Sequence, residues 1–88
     1  MKIDIDKSLG KDAKKLSKQV QQELKELILK LEKSENLEAF DTKKLSGYKN
    51  AYRIRLGNYR IGYYLENGVI ILSRIAKRND IYSLFPDK

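Results

Sequence analysis

The side chains best suited to chemistry in this sequence are arginines, and all five lie in its second half. They are Arg53, Arg55, Arg60, Arg74 and Arg78. A guanidinium group is a planar fork that binds phosphate through paired hydrogen bonds and stacks on nucleobases. Tyr82 follows four residues after Arg78 and adds a phenol, so one helical turn would bring the two side chains together. This pattern indicates a site for a polyanion.

Two residue types that many enzymes use are missing. The 88 residues include no cysteine and no histidine. This composition excludes disulfides, thiolate nucleophiles, and imidazole as a general base or zinc ligand. Asp4, Asp6 and Asp12 do not have the spacing of metal ligands. We therefore expect no metal and no other cofactor, and any catalysis must use tyrosines, carboxylates, lysines, arginines or the backbone.

The charge of the chain is divided unevenly. The formal net charge is +7, of which residues 1–44 contribute +2 and residues 45–88 contribute +5. The longest apolar run, Val69–Leu72, is far shorter than the roughly 20 residues that cross a bilayer. The first residues show no apolar secretory segment. These features predict a cytoplasmic chain with no membrane partner, folded as one domain over 1–88.

The elements that must position the arginines follow from hydrophobic periodicity. Met1–Asp6 alternates as a short strand does. Apolar residues at steps of three and four between Leu9 and Leu31 form one helical stripe. The stripe is either one long helix or a helical hairpin in which Ser17 caps the second helix, and the pattern leaves both open. Ser34–Gly47 reads as a connection with room for one short element.

The second half of the chain is β-like. Its apolar segments are Ala51–Leu56, Tyr59–Leu65 and Val69–Ala76. Hairpin turn residues separate these segments, and Asp80–Phe85 predicts a turn of helix or a last strand. We therefore predict an α+β fold, in which an αα-hairpin packs on one face of a twisted, mainly antiparallel four-stranded sheet, with an N-terminal strand and a short C-terminal element.

The first hairpin predicts where three arginines lie. A two-residue loop at Gly57-Asn58 places Arg55 directly opposite Arg60, with Arg53 on the same face. Like charges opposite each other in a sheet cost some tenths of a kcal/mol. A protein core does not favour that arrangement, whereas a bound phosphate does.

The second hairpin allows two registers. A two-residue turn at Asn67-Gly68 would send Arg74 and Arg78 to the helix side of the sheet, whereas a three-residue turn at Glu66–Gly68 with a glycine bulge would place them beside Arg60. We favour the three-residue turn, because it avoids burying Arg74 behind the sheet.

Several segments together resemble the RelE/ParE superfamily of toxin–antitoxin toxins. They are Lys44–Gly47, Tyr52–Leu56, Tyr59–Ile61, Arg74–Arg78 and Asp80–Tyr82. The resemblance covers nearly the whole chain and implies a compact fold of the RelE-like microbial RNase type. In the RelE branch, basic residues and a C-terminal tyrosine cut messenger RNA in the ribosomal A site. The ParE branch is similar in fold but poisons DNA gyrase and lacks these residues as a set.

The resemblance assigns catalytic positions. They are Arg53, Arg55, Arg60, Arg78 and Tyr82. We expect Tyr82 to act as general base, with Arg53 or Arg55 making its phenol more acidic and Arg60 stabilising the phosphorane. Arg78 either donates to the leaving group or holds the RNA backbone, and both roles remain open. A phenol ordinarily has a pKa of about 10, so we expect a large partner, the ribosome, to complete the site.

Further contacts and partners complete this interpretation. The expected RNA-binding residues are Lys49, Arg74, Lys77 and Tyr64. The resemblance also implies a cognate antitoxin that binds through an acidic or amphipathic segment, with operator DNA contacted only through the toxin–antitoxin complex. Two alternatives remain: a ParE-like inhibitor of gyrase without enzymatic activity, and a plain basic module that binds nucleic acid with ordinary salt dependence.

Overall fold

The computed structural model describes residues 1–86, so the last two residues of the predicted domain 1–88 lie outside the described residues. The elements are β1 (Lys2–Ile5), α1 (Lys7–Lys14), α2 (Lys18–Lys33), β2 (Thr42–Lys44), β3 (Ala51–Leu56), β4 (Tyr59–Glu66), β5 (Val69–Lys77) and α3 (Ile81–Leu84). Within the described residues the strands form one sheet in the order β1-β5-β4-β3-β2. Strand β1 pairs parallel with β5, and the other neighbours pair antiparallel. The predicted α+β fold is confirmed, but the sheet has five strands rather than four because β2 adds an edge strand.

The apolar stripe of the first half forms two helices rather than one. The hydroxyl of Ser17 accepts a hydrogen bond of 3.2 Å from the backbone N–H of Val20, which caps the start of α2. A serine cap contributes about 1 kcal/mol. The side-chain amide of Gln21 donates to the carbonyls of Ala13 at 2.8 Å and Leu16 at 3.1 Å, so it ties α2 to the end of α1. The helical hairpin is therefore the arrangement that the chain adopts.

The helical hairpin covers one face of the sheet. Its buried leucines pack on apolar side chains that alternate along β3, β4 and β5. The main core comprises Leu9, Leu24, Leu31, Ile54, Ile61, Tyr63, Ile70, Leu72 and Ile75. Because successive side chains of a strand point to opposite faces, the residues between these positions lie on the second face.

The second face is partly covered by α3. Ile81 and Phe85 are buried there with Ala51. The ring centroids of Tyr64 and Phe85 are 4.9 Å apart. The Phe85 ring lies directly on the backbone of Gly62, where an added Cβ would come within 2.3 Å of a ring carbon. Since only glycine leaves room for this ring, Gly62 and Phe85 together hold α3 against the sheet.

The turn between β4 and β5 differs from the one that we favoured. Asn67 has a φ of 51° and Gly68 a φ of 78°, and Glu66 pairs with Val69. Two consecutive residues with positive φ inside a closing pair are typical of a two-residue type I′ turn. The predicted three-residue turn is therefore wrong.

A β-bulge further along the hairpin shifts the register instead. Tyr63 pairs with Leu72 but Gly62 pairs with Arg74, which leaves Ser73 as an extra residue in β5. The two-residue turn alone would carry Arg74 towards the core, as the alternation predicts. The extra residue shifts that alternation, so the next residue, Ile75, takes the core position.

Arg74 is bound to helix α1. Its Nε donates to Asp12 Oδ2 at 2.8 Å and its Nη2 donates to Asp12 Oδ1 at 3.1 Å. The backbone N–H of Ile75 donates to the same Asp12 Oδ2 at 3.1 Å. A paired guanidinium and carboxylate with two parallel bonds is a strong, directional contact. This contact fastens α1 to β5.

Candidate active site

The hairpin of β3 and β4 carries the centre of the site. Arg55 pairs directly with Arg60, and Arg53 pairs with Gly62. Gly57 has a φ of 58°, a backbone conformation that favours glycine, and it closes the turn. The predicted register of this hairpin is therefore confirmed. The three arginines lie on the second face of the sheet, opposite the helical hairpin.

Arg60 is the least accessible of these side chains. Only 8% of its surface is exposed. Its Nη1 donates to the backbone carbonyls of Gly57 and Tyr59, both at 2.9 Å. A guanidinium group has five N–H donors, so these two bonds orient the group and leave other donors for a ligand.

The pKa of Arg60 is lowered by its surroundings. Burial lowers its pKa, and the like charges of Arg53, Arg55 and Arg78 lower the pKa further, whereas Tyr82 raises it. Such coupling requires short distances, because charge interactions near a protein surface weaken quickly with separation. The five residues predicted to be catalytic therefore converge on one patch.

Asp41 joins this patch from the residue before β2. Its carboxylate lies 3.5 Å from Arg53 Nη1 and 3.9 Å from Arg55 Nη1. The Nε of Arg53 is buried and has no hydrogen-bond partner within residues 1–86. Arg53 thus has one weak carboxylate contact and one unsatisfied donor, and both are favourable for exchange with a phosphate.

Tyr82 lies on α3 with its side chain open to solvent. The residue is 56% exposed. The predicted turn of helix is confirmed, since α3 spans Ile81–Leu84. Its neighbour Ile81 is buried beneath it and anchors the helix. The phenol is accordingly accessible to a large ligand.

The four residues predicted to bind RNA lie in different surroundings. Lys77 is exposed and borders a cleft of about 500 Å³ together with Arg78. Lys49 is exposed on the loop before β3. Tyr64 packs on Phe85, and Arg74 pairs with Asp12 at the far edge of β5. Lys77 therefore shares a cleft with Arg78, whereas Arg74 is engaged in an ion pair and Tyr64 in packing.

Two residues of the patch were not predicted. They are Asp41, which precedes β2, and Lys43, which belongs to it. Lys43 pairs with Arg53 across the sheet. Thr42 between them bonds to the Tyr63 hydroxyl on the helix side, 2.5 Å away. Side chains alternate between the two faces of a strand, so both neighbours of Thr42 face the patch. The sequence could have indicated this only if β2 had been recognised as a strand.

Residues 1–86 contain neither a metal-ligating cluster nor a membrane-spanning helix. This part of the chain has no cluster of three or more potential metal-ligating side chains. Its helices are all too short or too polar to cross a bilayer.

Comparisons with known sequences agree with this architecture. A family model described as the ParE toxin of the type II toxin–antitoxin system parDE matches residues 3–82. Toxin RelE3 of Methanocaldococcus jannaschii is 39% identical over 88 residues, which cover 98% of this chain and all of that protein.

Solved structures show the same fold. The RelB–RelE antitoxin–toxin complex from Methanococcus jannaschii superposes with a TM-score of 0.80 at 37% identity, covering 94% of this chain and 99% of that one. The isolated E. coli RelE toxin gives a TM-score of 0.67 at 28% identity, covering 94% and 92%. The fold and the family match together define a small α+β toxin of the type II class. More closely, this chain belongs to the RelE/ParE superfamily and is RelE-like.

Proposed function

We propose that this toxin is an endoribonuclease that cleaves messenger RNA on the ribosome, without a metal or other cofactor, and thereby arrests translation and growth. One observation carries the proposal: Arg55 pairs directly with Arg60 and Arg53 lies on the same face of the sheet, while Arg78 and the exposed Tyr82 are near enough to act on the charge of Arg60. Four cations and one hydroxyl group supply what RNA cleavage requires.

RNA carries its own nucleophile, the 2′-hydroxyl next to each phosphate. In the proposed reaction the 2′-oxygen bonds to phosphorus and the bond to the 5′-oxygen breaks, giving a 2′,3′-cyclic phosphate and a 5′-hydroxyl. Tyr82, as the phenolate, accepts the proton of the 2′-hydroxyl, and water gives the departing 5′-oxygen its proton. Arg60, held by two carbonyls, stabilises the charge of the phosphorane, as preoriented donors do. Arg78 holds the RNA backbone.

The contacts of Arg53 support a role in phosphate binding. Its buried Nε is unsatisfied within residues 1–86, and an unmade bond of this kind costs about 1–3 kcal/mol. A phosphate oxygen can accept from Nε and replace the 3.5 Å contact with Asp41. Binding of the scissile phosphate would recover that cost.

The openness of the patch supports a requirement for the ribosome. Arg55 has 58% of its side chain exposed, and Tyr82 is exposed to a similar extent. Charges in contact with water stabilise a transition state far less than charges in a closed site. We infer that the free toxin cleaves RNA poorly and that the ribosome closes the site.

A cognate antitoxin is the second partner that we propose. Similar toxins from Methanococcus jannaschii and Pyrococcus horikoshii form RelB–RelE complexes. The net charge of +7 favours an acidic or amphipathic antitoxin segment. We propose that the pair forms in the cytoplasm and contacts operator DNA only as a complex.

Inhibition of DNA gyrase is the second candidate, because the matching family model describes a ParE toxin. The nuclease is favoured because the complete set of four arginines and Tyr82 is present and converges. The two functions differ in their products: the nuclease leaves cleaved transcripts, whereas the inhibitor induces a DNA-damage response.

The test uses ribosomes programmed with a defined message, with primer extension as the measurement. We expect the native toxin to cut, and Tyr82→Phe to cut about 10²- to 10⁴-fold more slowly, the usual contribution of a general base. Arg78→Gln, at an exposed position, should also be slow. Lys25→Gln removes one exposed charge from α2 and is the control. Full cleavage by both site variants, or none by the native toxin, would refute the proposal.

A further inference from the structure

A groove runs beside the arginine patch, between the end of β2 and α3. Its volume is about 830 Å³, within the range of about 300–1,000 Å³ that is usual for small-molecule pockets. One wall is the turn that follows Lys44, and the other carries Tyr82 and Phe85. Tyr82 therefore belongs to both the groove and the patch.

The lining of the groove has the chemistry of a site for single-stranded nucleic acid. Tyr48, on the turn, is 44% exposed and lines the groove together with Tyr82. Lys43 and Lys44 both border the groove, and Lys43, which pairs with Arg53 in the sheet, lies on the patch face. Unpaired bases stack on exposed aromatic rings, while lysines bind the adjoining phosphates.

The turn that carries Tyr48 is held in place. The backbone N–H of Leu45 donates to the carbonyl of Ala51 at 2.8 Å, and the Leu45 side chain packs on the cluster of Ile81 and Phe85. Gly47 has a φ of 84°, which lets the chain reverse just before Tyr48. Tyr48 is thus presented by an anchored turn, whose backbone loses little freedom when a base stacks on the ring.

We propose that Tyr48 stacks on the nucleobase next to the scissile phosphate and that Lys43 binds a phosphate of that stretch. The inference rests on the proposed nuclease function, because it places one more nucleotide of the same transcript. The alternative occupant, a peptide of the antitoxin, is less favoured, because the groove is continuous with the patch through Tyr82.

The experiment measures single-turnover cleavage on programmed ribosomes as toxin concentration is varied. Tyr48→Ala should raise the half-saturating concentration roughly tenfold, the usual effect of losing one stacked base. Tyr48→Phe should restore it, because phenylalanine keeps the ring. Leu29→Ala, which removes a comparably exposed side chain from α2 (53% exposed), should leave the half-saturating concentration unchanged.

A message with one abasic nucleotide separates stacking from a structural effect. With the base beside the cleavage position removed, native toxin and Tyr48→Ala should cleave alike, because no base is left to stack. If the tenfold difference persists on the abasic message at every position beside the cut, Tyr48 does not stack there and the inference is wrong.

The remaining outcomes are also decisive. If native toxin and Tyr48→Ala cleave the normal message equally, the groove plays no part in RNA binding, although the nuclease proposal stands. If that variant instead weakens binding of an acidic antitoxin peptide, the groove belongs to the protein partner. If native toxin does not cleave at all, both proposals fail.

Discussion

Gly62→Ala should separate α3 from the sheet and so move the phenol of the site. An added Cβ at this position would lie 2.3, 2.4 and 2.8 Å from three ring carbons of Phe85. Carbon atoms in contact stay about 3.5–4.0 Å apart, so the ring must retreat by more than about 1 Å. Phe85 and Ile81 bury α3, and Tyr82 lies between them in the chain.

The expected cost can be estimated from core packing. Forcing one extra carbon into a packed site costs about 1–3 kcal/mol. In a domain of this size, that loss lowers Tm by roughly 5–20 °C. Cleavage on programmed ribosomes should fall further than stability alone explains, because displacement of about 1 Å at a catalytic group costs on the order of 10²-fold. Thermal unfolding and primer extension measure the two effects separately.

Two comparisons make the result interpretable. Gly10→Ala, in α1, meets no atom within 4 Å and should stabilise the protein by about 0.5–1 kcal/mol, since alanine favours helix. Adding Phe85→Leu to Gly62→Ala should cost less than the two single changes together, because the smaller side chain leaves room for the Cβ. A Gly62→Ala protein with native Tm and native cleavage would refute this account.

The other predictions concern charge and pH. Arg55→Gln removes a like-charge pair with Arg60 and should raise Tm by roughly 1–5 °C at low salt. The lost contact with Asp41, exposed and 3.9 Å long, offsets little of this gain. Cleavage should be slower, because the variant lacks one of the site's cations. The gain should shrink in high salt, and a lower Tm at low salt would contradict it. Burial raises the pKa of Tyr63, although its hydrogen bond with Thr42 opposes the shift. The stability from its neutral phenol is then complete below about pH 10 and is lost as pH rises through the raised native pKa. The free energy of unfolding, measured in urea between about pH 9 and 11.5, should fall more steeply with pH for the native protein than for Tyr63→Phe. Equal slopes would contradict the assignment.

Local patterns predicted the parts of the fold that local interactions determine. The helical stripe and Ser17 indicate a hairpin because a cap is a short-range hydrogen bond. The turn at Gly57-Asn58 predicts that Arg55 faces Arg60 because a two-residue loop leaves one register. That single inference placed the centre of the site.

The features that depend on distant partners were not predicted. Strand β2 has three residues, two of them exposed lysines, so no periodicity marks it. The bulge at Ser73 follows from the pairing of β5 with β4, and the partner of Arg74 is Asp12, 62 positions earlier in the chain. Asp41, Lys43 and the shift of Arg74 away from the core therefore required coordinates.

The pairing of β1 with β5 has a consequence for biosynthesis. Lys2 pairs with Val69 in the sheet. Strand β1 therefore has no partner strand until β5, the last strand of the chain, has been synthesised. Contacts between such remote segments form late, because closing a long loop costs entropy before the contacts repay it. We expect a chain that is released by premature termination, before β5 is complete, to remain unfolded and non-toxic. Toxicity should therefore require a nearly full-length chain.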